Sequence, residues 1–131
     1  VIKKWLSRIG IGSARVDLAL EKLEYMPGEV VTGQFLLIGG AVEREVKRIS
    51  CDLMRLNKGT DKETALESIT ILSSRSIKPE QVERVNFTFR LPEDLQPTEE
   101  DVSYWFKTTL HFDEGTASKD QDEIRIVPSD G

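Results

Sequence analysis

The sequence has 131 residues, 38% of them hydrophobic and 31% charged, with a net charge of −5. A domain of this size buries about two thirds of its unfolded surface, so it can hold a core without metals, and its single cysteine allows no internal disulfide. The acidic balance excludes the basic footprint of non-specific nucleic-acid binding, and no apolar run approaches the ~20 residues needed to span a bilayer.

Ile2, Trp5, Leu6 and Ile9 recur at helical spacing, with Lys3, Lys4, Ser7 and Arg8 on the opposite side. Gly10 and Gly12 end the pattern, which predicts a short amphipathic helix within residues 1–12. Such a helix is too short to persist alone in water, so its apolar face must dock on this lobe, on a second lobe, on another copy, on a partner or on a membrane.

Residues 13–128 read as strands joined by turns, and residues 129–131 as a boundary or tail. Val16, Leu18 and Leu20 alternate on one face. Met26-Pro27-Gly28-Glu29 has the chemistry of a type II turn, with proline setting φ and glycine accepting positive φ. Val30 to Ile38 is a β-rich run that stops at Gly39-Gly40. Ile49, Cys51 and Leu53 then alternate against Ser50, Asp52 and Met54, and Asn57 to Asp61 forms a polar hairpin loop.

Ile69, Ile71 and Ser73 alternate within Thr64 to Ile77, a stretch rich in Ser and Thr that predicts a further strand. Val85, Phe87, Phe89 and Leu91 face the core, with Asn86, Thr88 and Arg90 turned to water. An acidic loop follows from Pro92 to Asp101. Val102, Tyr104, Phe106, Thr108, Leu110 and Phe112 alternate next, and Ile124 and Ile126 close the series before Pro128. The expectation is an all-β, immunoglobulin-like antiparallel sandwich of about seven strands.

Several segments carry a resemblance: Gly10 to Asp17 with Leu20-Glu21, Tyr25 to Gly33, Ile38 to Gly40, Phe87 to Pro92, Trp105 to Leu110, and Lys119 to Ile124. As an ordered set they resemble the N-terminal part of the bacterial sporulation-control protein M family, which is arrestin-like. The resemblance implies an arrestin N-lobe sandwich, a second similar lobe in the full-length protein, and a regulatory, non-enzymatic role in sporulation control. The charged residues by which eukaryotic arrestins sense phosphate have no placed counterpart here, so no phosphate site is carried over.

The chemistry-bearing residues are few. His111, the sole histidine, reads as a general base or pH switch if a partner lies beside it, and as a surface histidine if none does; the sequence favours the second. Cys51 shares its face with Ile49 and Leu53 and reads as a buried structural thiol. Asp113, Glu114, Asp120, Asp122 and Glu123 surround what reads as a loop. Their spacing is not that of an EF-hand, so a solvated acidic loop is preferred to a cation site. Gly10-Ile11-Gly12 lacks the preceding strand and following helix of a phosphate loop.

Tyr104, Trp105 and Phe106 are consecutive and must point to both faces of their sheet. Tyr104 and Phe106 are expected in the core and Trp105 outside it, either as a binding anchor or covered by a loop or the N-terminal helix. The candidate partner-binding residues are therefore Ile2, Trp5, Leu6, Ile9 and Trp105, with no catalytic residue, cofactor or metal expected. The function expected is a cytoplasmic regulatory scaffold acting through protein–protein contacts, with homo-oligomers open to it through an exposed sheet edge. The alternative is weak binding to a membrane surface through the basic amphipathic helix.

Overall fold

The computed structural model describes residues 14–113 and 117–129. The predicted helix of residues 1–12, with Ile2, Trp5, Leu6 and Ile9, lies outside the described residues, as does Glu114. The described chain forms eight strands: β1 (Arg15–Leu20), β2 (Glu24–Tyr25), β3 (Val30–Ile38), β4 (Arg44–Asn57), β5 (Lys62–Ile77), β6 (Val82–Arg90), β7 (Val102–Phe112) and β8 (Ala117–Ile126).

These make two sheets, β1-β3-β6 and β2-β8-β7-β4-β5. The pairing is antiparallel except between β2 and β8, where Glu24 and Tyr25 run parallel to Arg125 and Ile126. The fold is the expected sandwich, with one strand more than expected because β2 has two residues and no period to read. β4 departs from regular register between Val46 and Arg48 and between Leu53 and Met54. Extra residues of this kind twist a strand locally.

The alternation seen in the sequence becomes the core. Val16, Leu18, Val31, Phe35, Leu37, Phe87 and Phe89 enter it from the three-stranded sheet. Ile49, Cys51, Leu53, Tyr104, Phe106 and Leu110 enter from the five-stranded one. Its centre is aromatic. The Phe87 ring lies 5.1 Å from Phe35 and 5.4 Å from Phe106, both edge-on, and Phe89 meets Phe106 edge-on at 5.1 Å. Edge-on pairs set the positive rim of one ring against the negative face of the other, which adds to the gain from burial alone.

The connections are tied by identifiable bonds. Gly28 has φ 80°, and the Glu29 amide donates to the Met26 carbonyl at 3.1 Å, so the turn is of the predicted kind. Thr98 anchors the acidic loop to β8: its hydroxyl accepts the Ile126 amide at 2.8 Å, and its own amide donates to the Ile126 carbonyl at 2.8 Å. Tyr104 holds the same loop through its hydroxyl, which donates to the Gln96 carbonyl at 2.7 Å. These bonds satisfy polar groups that the core would otherwise strand.

Candidate functional site

Three places in the described chain carry exposed or polar features that the core does not need. The first is the outer face of the five-stranded sheet. Register puts Met54, Trp105 and Glu123 in one row across β4, β7 and β8, and Asp52, Lys107 and Gln121 in the next. Trp105 is on this outer face as expected, half-buried, with its indole Nε1 buried and without a hydrogen-bond partner among the described residues. Met54 beside it is 8% exposed although it points away from the core.

The same face brings His111 to Ser50, Nε2 to Oγ at 2.9 Å. The sequence did not place this partner, because Ser50 comes alongside only through the β4–β7 register. Two partners do not make a catalytic set. Burial lowers the histidine's pKa, and the charges of Arg48 and Lys119 lower it further; among the described residues the ring's hydrogen-bond partner is Ser50, not the carboxylate a triad would use. Cys51 lies in the core as predicted. Burial pushes its thiol up to about 12, and the Thr108 hydroxyl donates to its Sγ at 3.6 Å. A thiol so placed is not a nucleophile at neutral pH.

The second place is the side of the sandwich where β5 and β6 come together. Both strands end their sheets among the described residues. At one end of this side, Arg75 Nη1 bridges to Glu83 Oε2 at 3.0 Å. At the other, a groove of about 470 Å³ opens between the strands, with Glu67 and Ile69 on the β5 side and Thr88, Phe89 and Arg90 on the β6 side. Leu72, on the open face of β5, is 83% exposed.

The third place is the opposite side, where β1 passes β8. Here the sequence reading needs correction. Asp120, Asp122 and Glu123 are not in a loop but in β8, which begins at Ala117. Ser118, Asp120, Asp122, Ile124 and Ile126 share the inward parity of that strand, and Ser118, Asp120, Ile124 and Ile126 are buried. Asp17 of β1 joins Asp120 and Asp122, and carboxylate oxygens from the three lie within 4.8 Å of one another. Asp120 Oδ2 accepts the Leu18 amide at 3.1 Å, capping a backbone donor on the edge of β1 that does not face β3.

Burial, then the neighbouring Asp120, then Asp17 push the Asp122 carboxyl up to about 9. Burial is also the largest influence raising Asp120. The available signal in the sequence was parity: Asp120 and Asp122 stand an even number of residues before Ile124, so they fall on its face.

The arrangement defines a β-sandwich lobe with two differently treated sides and no assembled catalytic triad among the described residues. The family model described as SpoOM protein matches residues 2–131, and the chain belongs to that family. The sporulation-control protein spo0M of Bacillus subtilis (strain 168) is 31% identical over 130 residues, covering 95% of this chain and 50% of that protein. The crystal structure of Spo0M from Bacillus subtilis superposes with a TM-score of 0.80 at 30% identity, covering 88% of this chain and 50% of that one. This chain thus spans half the length of the relative it matches.

A family 123 glycoside hydrolase from Clostridium perfringens superposes with a TM-score of 0.54 at 7% identity, covering 88% of this chain and 27% of that one, a likeness of fold alone. The similarity to a sporulation-control protein supports a regulatory role. Among the described residues no helix is long and apolar enough to cross a membrane.

Proposed function

We propose that this chain is one lobe of a non-enzymatic regulatory scaffold in sporulation control, and that it takes up an extended segment of a partner protein along β5. The observation that carries this reading is the groove between β5 and β6. A free strand edge offers unpaired amides and carbonyls to an incoming strand, and side-chain pockets along it supply selectivity. Ile69 and Phe89 give the groove an apolar floor, while Glu67 and Arg90 at its rim offer charges of both signs. The exposed Leu72 lies on the other face of the same strand and adds apolar surface beside its free edge. Trp105 belongs to a second contact surface on the outer face of the sheet, and the candidate residues Ile2, Trp5, Leu6 and Ile9 supply a third if they form the predicted helix.

The test is a pull-down from the native cytosol with the full-length protein, run beside a Glu67→Arg, Leu72→Lys double variant. Both positions are exposed, so the fold should survive; circular dichroism and the thermal midpoint verify that. A protein retained by the wild type and lost by the double variant supports the β5 reading. Equal retention by both rejects β5 as the contact. A Trp105→Ala variant and a Trp5→Ala, Ile9→Ala variant then locate the surface in use.

A further inference from the structure

β5 has 16 residues, and among the described strands it pairs on one side alone, with β4. Long edges template strand addition, and natural edges are blunted by lysine, proline or inward charge. β5 carries such charge only at the ends of its central stretch. From Ser68 to Ser74 it has no charged residue, no proline and no glycine, and Ile69, Thr70, Ile71 and Leu72 follow one another. Uncharged segments of this length and β-propensity are the ones that pair with copies of themselves.

Glu67 and Arg75 bracket this stretch, four residues before and four after Ile71. Both share the inward parity of Ile69, Ile71 and Ser73, since Glu67 lies opposite the buried Leu53. Two copies of one strand, paired antiparallel about a two-fold axis, set residues equidistant from the axis opposite each other. With the axis on Ile71, Glu67 faces Arg75 of the second copy, and Arg75 faces the second copy's Glu67. Ile71 meets Ile71, Ser73 meets Ile69, and Leu72 meets Thr70. Opposite residues then share a face, so the five-stranded sheet continues from one copy into the next.

Moving the axis by one residue loses the match. On Thr70, Glu67 stands opposite Ser73. On Leu72, Glu67 stands opposite the buried Ile77, and Arg75 opposite Ile69. Arg75 is also held in place for the contact. Its Nε donates to Ser73 Oγ at 2.7 Å and its Nη1 to Glu83 Oε2 at 3.0 Å, and the planar fork keeps further donors for a second carboxylate.

We propose that the strand taken up along β5 is β5 of a second copy of this chain, paired antiparallel about Ile71 with Glu67–Arg75 contacts on either side of the axis. The proposal rests on the reading of β5 as the contact edge and names its occupant. The experiment is sedimentation velocity of the full-length protein over a dilution series. One strand pair makes a small interface of the transient class, so a dimer with a dissociation constant on the order of 10⁻⁵ M is expected. Glu67→Arg turns two attractive pairs into two repulsive ones and should weaken the dimer about tenfold or more. Glu99→Gln, on the acidic loop, should leave it unchanged. A monomer at every concentration up to about 10⁻⁴ M overturns the proposal, and so does a dimer that Glu67→Arg leaves intact.

Cysteines read the register. Ser68 and Ser74 are exposed and lie opposite each other across the axis, within the Cα spacing a disulfide needs. A mixture of the Ser68→Cys and Ser74→Cys proteins should give a cross-linked dimer under mild oxidation, and the thermal midpoint checks that each folds. Either protein alone should stay uncross-linked, because its own two cysteines stand about 20 Å apart. Cys51 is buried and does not compete. Equal cross-linking with and without mixing overturns the Ile71 axis. The two readings fail separately. If the protein is a monomer but its Glu67→Arg, Leu72→Lys variant still loses a cytosolic protein, the second copy is rejected and β5 remains the contact.

Discussion

Removing the Phe89 ring tests the centre of the sandwich. The side chain is 2% exposed and touches two other rings, Phe106 edge-on at 5.1 Å and Phe87 stacked at 6.0 Å. A buried aromatic side chain removes about 150–250 Å² from water, which at about 25 cal/mol per Å² gives about 4–6 kcal/mol. The alanine methyl retains a part of this, and measured Phe→Ala losses are about 3–5 kcal/mol. Phe89→Ala should therefore cost about 4 kcal/mol, out of a total stability of about 5–15 kcal/mol for a domain.

Urea unfolding followed by tryptophan fluorescence reads this directly. With a slope of about 1–3 kcal/mol per molar urea, the midpoint should fall by more than about 1 M while the slope stays constant. Thr88→Ala is the control: Thr88 is exposed, adjacent in sequence and on the opposite face, so it should shift stability by less than about 0.5 kcal/mol. A Phe89 loss below about 1 kcal/mol, or one equal to the control, would refute the assignment of this face to the core.

A Cβ at Gly33 would lie 2.3 Å from the Ala19 carbonyl oxygen, a backbone atom of β1. Gly33→Ala should therefore force β1 away from β3 and cost about 1–3 kcal/mol, read as a lower urea midpoint; an unchanged midpoint would mean that the strands can part without cost. Cys51, its thiol pushed up to about 12 by burial, should resist a water-soluble disulfide reagent in the folded chain and react at once in denaturant. Rapid labelling of the native protein would count against the burial described. His111 should titrate below its ordinary 6.5 in an NMR titration, because burial and the charges of Arg48 and Lys119 disfavour its cation. A base depressed by folding contributes stability above the unfolded pKa and loses it as pH falls through 6.5 toward the folded value. Arg48→Gln should raise the folded value, and an unaltered titration would exclude Arg48 from the field at the ring.

The strands whose alternation was apolar were legible from residues alone. Val85, Phe87 and Phe89 announced β6, and Val102 to Phe112 announced β7, because hydrophobic and polar residues alternate there with the period of a pleat. β8 was legible only in its second half. Its first half carries Ser118 and Asp120 on the buried face, so a pattern read from hydrophobicity reports a loop where the backbone is extended. β2 was invisible because two residues have no periodicity, and its pairing depends on a strand about a hundred positions later.

The contact of Ser50 with His111 was hidden for the same reason, since it depends on the β4–β7 register, and that of Asp17 with Asp120 because it depends on how the two sheets pack together. Trp105 was placed correctly on the outer face because three consecutive aromatics cannot all face inward. Its buried Nε1 depends on what surrounds it, which parity alone does not give.

The two sides of the sandwich solve one physical problem in opposite ways. A sheet edge presents unpaired amides that another strand can take. On the β1 side, an inward carboxylate from β8 takes the Leu18 amide, so this edge is engaged within the lobe at the cost of burying acid. On the β5 side no such carboxylate enters among the described residues. Arg75 and Glu83 tie one end of β5 to β6, and the rest of the strand runs beside a groove with an apolar floor. A fold that had to suppress strand addition everywhere would treat both edges alike. The difference between them supports the proposal of partner uptake on β5, while the Leu18–Asp120 bond ties β1 to β8 across the two sheets.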